Sequence, residues 1–394
     1  MSINNKGGVI SVNILIYDLN GSLLTYDIEY FFRKMGHSCK NILRPVYDKY
    51  ADEEFVLEME KELSGTHYDL IFTTNYYPVV ARVCYEQKIP YYSWTYDSPP
   101  EIYSTETMEY PTNHIFFFSK YDYQKFSGLG LDNVHYLPLA VNTERLSKIS
   151  KRDDYASDVA LVGGLYKSEF LEYREIMSPE QQQYIDAVIQ VQLMHSGSTV
   201  VDAALNDEFI EGVCAHYRSL SNVAVQPNKD VLFYSLCAHL THLDRVTILS
   251  LSGKRGFDTR LYYGKARPAD REILEKNSVK IHGFVRYMDE MPAVFKSTKI
   301  NINSTLRANR TGIPLRVVDV LGAGGFLLTN LQSEMLDFFK EDELATYETS
   351  EDAIEKISFY LKNDDVREKI AVKGYERVLR DFSYEDRLSR MLEN

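Results

Sequence analysis

Residues 312–330, GIPLRVVDVLGAGGFLLTN, place two charged side chains in a segment that is almost entirely apolar or glycine. Arg316 and Asp319 are three residues apart, so a helix would carry both on one face. An unpaired charge buried among valine and leucine side chains costs several kcal/mol. The two groups either form an ion pair on a surface or bind a charged ligand. The apolar surroundings favour the ligand site.

The same segment carries the signals of a short helix that follows a strand. Gly312 permits a tight turn, Pro314 suits the first helical position, and Gly322 or Gly324 suits the end of the helix. We therefore predict a helix over Leu315–Leu321. Because the N-terminus of a helix attracts anions, this end is a candidate phosphate site.

The periodicity of the chain predicts two series of strands alternating with helices, which is typical of parallel sheets covered by helices. Strands of the first series are expected at 12–19, 41–46, 68–75, 90–97, 114–119 and 134–141. Those of the second are expected at 158–165, 246–253, 279–285, 298–305, 325–330 and 344–349.

These patterns predict an α/β protein with two doubly wound domains. The expected first domain spans 1–150 and the second 151–380, with a helical insertion at about 168–241; a last helix, 381–394, could pack back on the first domain. In such folds ligands bind at the carboxyl ends of the strands, so we expect the two sheets to face a shared cleft.

Composition narrows the class of protein. The chain has 394 residues and a net charge of -13, which argues against a nucleic-acid-binding protein. No charged segment followed by an apolar one opens the chain, and no apolar run approaches the roughly 18 residues of a membrane span. We expect a cytoplasmic protein without a transmembrane segment. Its four scattered cysteines fit reduced thiols.

Candidate site residues of the first domain follow its strands. Asp97, in WTYDSPP, is a candidate general base that takes a proton from an acceptor, or it caps the turn through its side chain. Trp94 could stack on a sugar, although packing in the core is the safer interpretation. Asp18, Asn20 and Gly21 follow the first strand and are expected to line the cleft. The GxxxxGK pattern of a P-loop is absent there, which disfavours ATP hydrolysis.

Several stretches resemble the GT-B glycosyltransferases of the CgeB-like group, of the glycosyl transferases group 1 type. Four resemble the C-terminal domain: KININSTLRANRTGIPLRVVDVLGAGGFLLTN, the segment through Phe338-Phe339, YETSEDAIEKISFYLKNDDVREKIA and RDFSYEDRLSRML. The stretch YYSWTYDSPP resembles the domain often paired with it. The resemblance implies two Rossmann-like domains and a nucleotide diphosphate sugar, expected to be UDP-linked, as the donor.

The resemblance also implies roles for residues of the second domain. Asp319 occupies the place of a carboxylate that binds the ribose diol. Many retaining relatives have a glutamate eight positions earlier, where this chain has Thr311, so the stereochemistry of transfer stays open. The residues implied to meet the diphosphate are Gly312, Ile313, Pro314 and Leu315, with Arg316 and Arg307. No metal ion and no other cofactor is then required.

Two further pairs belong to the expected donor site. Phe284 and Val285, in HGFV, are candidates to contact the base of the nucleotide. Gly163 and Gly164 would let the backbone approach the donor closely, although a plain turn fits the pair equally well.

Other clusters point to function less strongly. Cys237, His239 and His242 have no second Cys/His cluster to complete a zinc site, so packing within a helix is the better interpretation. The basic run GKRG, at 253–256 after a predicted strand, could contact phosphate or form a solvated loop.

The sequence thus predicts a glycosyltransferase of the hexosyltransferase type that moves a sugar to a hydroxyl group of a glycan, a protein or a small molecule. Two alternatives stay open. One is a nucleotide-sugar epimerase, which would turn over the donor without an acceptor. The other is a non-catalytic protein that binds nucleotide sugars.

Overall fold

The structure is a computed structural model that describes residues 11–195, 200–220 and 226–393. The parts of the predicted helical insertion at 196–199 and 221–225, and the first ten residues of the predicted first domain, lie outside this range. The chain divides into two compact units. Unit 1 contains the described residues up to Asn142, Gly312–Val318 and those from Arg380 onward. Unit 2 contains those of Thr143–Thr311 and Asp319–Leu379.

Twelve strands are present among the described residues. They are β1 (Asn13–Asp18), β2 (Ser38–Leu43), β3 (Leu70–Thr74), β4 (Tyr91–Trp94), β5 (Asn113–Phe117), β6 (Val134–Tyr136), β7 (Ser157–Val162), β8 (Thr259–Tyr262), β9 (Lys280–His282), β10 (Thr298–Asn303), β11 (Leu327–Asn330) and β12 (Ala345–Tyr347).

The described part of the chain also forms seventeen α-helices. They are α1 (Leu24–Lys34), α2 (Glu53–Gly65), α3 (Pro78–Gln87), α4 (Lys120–Ser127), α5 (Thr143–Ser147), α6 (Phe170–Ile176), α7 (Pro179–Leu193), α8 (Val201–Ala204), α9 (Asp207–Leu220), α10 (Lys229–Lys254), α11 (Pro268–Lys276), α12 (Glu290–Ser297), α13 (Leu315–Gly322), α14 (Met335–Phe338), α15 (Ser350–Lys362), α16 (Asp364–Asp381) and α17 (Tyr384–Glu393). Short 3₁₀ helices lie at Glu106–Glu109 and Asp153–Tyr155.

Unit 1 is built on a parallel sheet with the strand order β2-β1-β3-β4-β5-β6. Its central strands are apolar on both faces because helices cover both sides. On one face Leu15 packs with Phe55 of α2, and on the other Ile14 packs with Phe31 of α1. The ring of Tyr384 stacks on Phe31 with the ring centroids 5.1 Å apart. The last helix, α17, therefore belongs to the core of unit 1.

Unit 2 is built on a second parallel sheet with the order β12-β11-β10-β7-β8-β9. The predicted α/β fold with two doubly wound sheets is therefore confirmed. Most predicted strands are present, some of them shorter: the segment 134–141 is a strand only over Val134–Tyr136, and the strand expected at 41–46 is Ser38–Leu43.

The predicted strand at 246–253 is wrong, because these residues form the last turns of α10. Ile248, Leu249 and Ser252 are all buried there, so this part of the helix lacks the polar face that marks an amphipathic helix. A Cβ on Gly253 would lie 2.2 Å from the Asn277 carbonyl oxygen, so only glycine fits this close approach. Between β7 and β9 the sheet contains β8, which the sequence analysis missed.

The described parts of the segment predicted as helical, at about 168–241, contain α6, α7, α8 and α9 joined by short connections, and the last helix, α10, continues to Lys254. It has a hydrophobic cluster of its own, in which Phe170, Ile185, Val213 and Leu236 are buried. Among the helices of the described residues, none has both the length and the apolarity that crossing a membrane requires.

Candidate functional site

The helix α13 begins and ends as its sequence indicates. Pro314 precedes it, and the Pro314 carbonyl accepts a hydrogen bond of 3.0 Å from the Val317 amide. Gly324 has a φ of +77°, and its amide donates to the Leu321 carbonyl at 2.9 Å. Glycine adopts this left-handed conformation without the strain that a Cβ would add, so it ends the helix here. Asp319 is thereby held just over one turn from the start of the helix.

Asp319 is a buried carboxylate with a hydroxyl partner. Its side chain is 3% exposed, and the Tyr287 hydroxyl donates to its Oδ1 at 3.2 Å. The Arg145 guanidinium lies 4.9 Å from the centroid of the Tyr287 ring and donates to the Met288 carbonyl at 3.1 Å. These contacts fix Tyr287, which the sequence analysis did not single out. Arg316, in the first turn of the same helix, is half-buried.

Arg307 lies in a different environment from the one expected. Its Nε donates to Asp244 Oδ2 at 2.8 Å, and a second nitrogen donates to the His195 carbonyl at 2.9 Å. Both members of the pair are buried, with side chains 9% and 8% exposed. Burial raises the pKa of Asp244, and the charge of Arg307 opposes that shift. The guanidinium is thus engaged by two protein partners within unit 2.

Replacing Arg307 with methionine is expected to lower the free energy of unfolding by about 3–5 kcal/mol, because Asp244 would be left buried without its counter-charge. Urea unfolding measures this loss. Arg152→Met is the matched control, since its pair with Asp154 is 47% and 58% exposed and should contribute little to stability. The double variant Arg307→Met/Asp244→Leu should recover most of the stability. Equal losses in Arg307→Met and Arg152→Met would contradict this account.

Arg245, also missed by the sequence analysis, joins two loops at the carboxyl ends of neighbouring strands. It donates to the Gly164 carbonyl after β7 and to the Ser304 carbonyl after β10, in the latter case at 3.1 Å from Nε. Gly163 has a φ of +146°, which favours glycine. Arg245 directly precedes the segment 246–253 that was predicted as a strand, and in the structure both belong to helix α10.

The candidate base-contacting pair divides into an exposed and a buried residue. The Phe284 side chain is 76% exposed, whereas Val285 is 6% exposed. Phe284 offers an aromatic face to a ligand. Val285 could contact one only through its backbone.

Unit 1 has a concave site of its own at the carboxyl ends of β1, β3 and β4, which we call the Asp97 pocket. Its volume is about 380 Å³. It is lined by Leu19, Asn20, Val46, Tyr47, Lys49, Asn75, Tyr76, Tyr77, Asp97, Pro100, Glu101 and Ile102. The structure thus brings two predicted residues, Asn20 and Asp97, to one cavity.

Asp97 is held at this pocket by Asn75, a residue that the sequence analysis did not single out. The Asn75 amide nitrogen donates to Asp97 Oδ2 at 2.7 Å, and its amide oxygen accepts from the Tyr96 backbone at 2.8 Å. Asn75 has a φ of +63°, a conformation that asparagine tolerates better than most residues. Asp97 is exposed, yet the protein atoms around its carboxylate raise its pKa by desolvation. Asn75 opposes this shift and Glu101 adds to it.

Asp18 and Gly21 shape the loop after β1. Asp18 is 5% exposed, and its carboxylate accepts hydrogen bonds from the Ser22 amide at 2.8 Å and from the Thr25 hydroxyl at 3.3 Å. Asp18 therefore closes the turn into α1 and is absent from the lining of the Asp97 pocket. Gly21 has a φ of +74° in that turn.

Trp94 belongs to the core of unit 1. Its side chain has no exposed surface, and its Nε1 donates to the Leu137 carbonyl at 3.0 Å. Because a ring without exposed surface cannot stack on a sugar, the sugar-platform role is wrong.

The Cys/His cluster of α10 serves packing. Cys237 is buried, the His239 ring lies 5.2 Å from the Phe170 ring, and His242 Nδ1 is 2.9 Å from the Leu165 carbonyl oxygen. No group of three or more His, Cys, Asp or Glu side chains in the described ranges could hold a metal ion. The run GKRG begins within the last residues of helix α10 and does not follow a strand.

Residues 244–393 match the family described as glycosyl transferase-like. A search of curated proteins finds no match to the chain.

The whole chain is similar in fold to solved glycosyltransferases. Sucrose-phosphate synthase from Thermosynechococcus elongatus is 10% identical with a TM-score of 0.57, over 97% of this chain and 98% of that one. Anabaena HepE, solved with UDP and glucose, is 11% identical with a TM-score of 0.54, over 97% and 99%. The UDP-forming trehalose-phosphate synthase of Burkholderia vietnamiensis is 11% identical with a TM-score of 0.56, over 98% and 100%.

Proposed function

We propose that this chain, a glycosyltransferase with the GT-B fold, moves a sugar from a uridine diphosphate sugar to a hydroxyl group of an acceptor. The observation that carries the proposal is Asp319, a buried carboxylate held just over one turn from the start of α13 with the Tyr287 hydroxyl beside it. The choice of uridine is supported by similarly folded proteins, such as HepE, which was solved with UDP-glucose.

On the donor side, Asp319 accepts hydrogen bonds from the two ribose hydroxyls of the nucleotide. Hydrogen bonds to an ionised carboxylate are about twice as strong as neutral ones, which makes Asp319 a strong anchor for the ribose. The backbone amides at the start of α13 and the Arg316 guanidinium then stabilise the diphosphate. Phe284 contacts the base. This assignment needs no metal ion, because the amides and Arg316 oppose the negative charge that develops on the leaving group.

On the acceptor side, Asp97 acts as the general base. The acceptor oxygen forms a bond to the anomeric carbon of the donor while its proton passes to a carboxylate oxygen of Asp97. The bond between the anomeric carbon and the diphosphate oxygen breaks, and its electron pair leaves with UDP. Asn75 orients the carboxylate through its hydrogen bond of 2.7 Å.

A nucleotide-sugar panel tests the proposal. Thermal unfolding is measured with UDP-glucose, UDP-galactose, UDP-N-acetylglucosamine, GDP-mannose and free UDP, since a ligand that binds the native state raises the melting temperature. We expect a shift with a uridine compound, followed by acceptor-dependent release of UDP. Donor turnover without any acceptor would indicate an epimerase. Binding without turnover across an acceptor panel would indicate a non-catalytic protein.

The pH dependence of transfer should reflect Asp97, which acts only as the carboxylate. Because its pKa is raised, kcat/KM should begin to fall on the acid side at a higher pH than for an ordinary aspartate. Glu101→Gln removes a neighbouring negative charge, so it should move this acid limb to lower pH. Asn75→Ala removes a hydrogen bond to the carboxylate, so it should move the limb to higher pH. Shifts in the same direction would contradict the assignment.

A further inference from the structure

The charged side chains that line the Asp97 pocket are two carboxylates and one ammonium group. Lys49 Nζ lies 3.2 Å from Glu101 Oε2 and 3.1 Å from the Glu101 carbonyl oxygen, so the positive charge is already paired. The same ammonium group lies 5.4 Å from the centroid of the Tyr77 ring. The Asp97 carboxylate has an amide, not a cation, as its closest partner. The lining therefore carries a net negative charge.

Exposed aromatic surface lies at and beside the pocket. Tyr47, part of the lining, is 88% exposed, and Tyr103 is 79% exposed. The Tyr103 amide donates to the Tyr50 hydroxyl at 2.6 Å, and the two rings lie 6.3 Å apart. Such rings offer an apolar face next to polar groups, which suits the mixed surface of a sugar.

Arg44, beside Tyr47, is already paired with carboxylates. The Arg44 guanidinium lies 5.8 Å from the centroid of the Tyr47 ring, but its Nε pairs with Glu58 at 2.7 Å. A second glutamate, Glu54, lies 3.8 Å from another of its nitrogens. The positive charge of Arg44 is therefore compensated.

We propose that the acceptor that binds in the Asp97 pocket is a sugar without phosphate or carboxylate groups. The inference rests on the proposed function, and it names the class of acceptor. Asp97 and Glu101 accept hydrogen bonds from sugar hydroxyls, Asn20 and Asn75 supply amide groups, and Tyr47 covers an apolar face of the ring. A phosphorylated sugar would bring a charge of about -1.5 to -2 against two carboxylates, and like charges in contact are costly.

Binding of matched sugar pairs to the full chain tests this inference. Methyl glucoside, methyl mannoside and N-acetylglucosamine are each compared with the corresponding 6-phosphate by titration calorimetry in the presence of saturating UDP. We expect at least one uncharged sugar to bind, and its 6-phosphate to bind at least about tenfold more weakly. Tyr47→Ala should weaken binding of the uncharged sugar roughly two- to tenfold.

Variants that remove one charge test whether the charge of the pocket, and not its shape, weakens binding of the 6-phosphate. Glu101→Gln removes one carboxylate and frees the Lys49 ammonium group, so binding of the 6-phosphate should strengthen roughly two- to fivefold. Glu109→Gln removes the same charge from an exposed residue outside the pocket lining and should leave the ratio between the two sugars unchanged. Tighter or equal binding of the phosphorylated sugar, or binding of no uncharged sugar, would overturn the inference.

Donor binding, measured in separate samples of the same protein without added UDP, distinguishes failure of the acceptor inference from failure of the proposed function. If UDP-glucose binds and Asp319→Asn weakens that binding, then a failure of the uncharged sugars to bind more tightly than their 6-phosphates overturns only the proposed class of acceptor. If no uridine compound binds, or if the binding is indifferent to Asp319→Asn, the proposed function itself fails.

Discussion

Asp97→Asn is expected to lower the rate of sugar transfer by about 10²- to 10⁴-fold, because asparagine keeps the shape of the side chain but cannot accept a proton from the acceptor. The pocket itself should persist, since the Asn75 hydrogen bond that reaches Asp97 can be replaced by one between two amides. Release of UDP in the presence of saturating donor and acceptor measures the loss.

The control for Asp97→Asn is Glu106→Gln, which removes an exposed carboxylate from the 3₁₀ helix outside the pocket lining. Its rate should match that of the unmodified protein. Donor affinity should be unchanged in both variants, because Asp97 is assigned to the acceptor. A rate for Asp97→Asn within threefold or so of the control would move the role of general base elsewhere.

Asp319→Asn is expected to raise the Kd of UDP-glucose by about 10- to 100-fold. Hydrogen bonds to a charged group contribute about 1.5–3 kcal/mol each. The asparagine side chain has a single oxygen, so it can accept a hydrogen bond from only one of the two ribose hydroxyls. Tyr287→Phe removes the hydroxyl that lies 3.2 Å from Asp319 Oδ1, so it should weaken binding by a smaller factor. Titration calorimetry measures both values.

Asp270→Asn provides the matched control for Asp319→Asn. Asp270 is also a buried carboxylate of unit 2, at 4% exposure, but its partners are Arg267 and His242. It should lower stability without changing the Kd of UDP-glucose. If both variants reduced binding in proportion to their loss of stability, Asp319 would have a structural role and no assigned contact with the ribose.

The fold was predictable where single elements carry their own signal. Buried parallel strands such as β1 and β10 appear as short apolar runs, so their positions follow from the sequence. The same rule failed for residues 246–253. An apolar run inside a helix that is buried on all sides is indistinguishable from a buried strand without its neighbours. Because the prediction placed a strand at 246–253, it missed β8.

Candidate site residues were recognisable where their context was unusual. Asp319 is notable because it interrupts an apolar helix, and Asp97 because two prolines follow it closely. Asn75 and Tyr287 give no such signal, since asparagine and tyrosine are common residues. The role of Asn75 depends on its positive φ, and that of Tyr287 depends on its contact with Asp319, which is 32 residues away along the chain. The buried ion pair of Arg307 could not be inferred, because its partner, Asp244, is 63 residues distant in sequence.

A crystal structure of this protein with UDP tests the central claim most directly. The account predicts that both ribose hydroxyls lie within about 3.2 Å of the Asp319 carboxylate, which is the range of a hydrogen bond. It also predicts that the diphosphate lies at the start of α13. Uridine bound elsewhere, with the Asp319 carboxylate still contacting only protein, would contradict it.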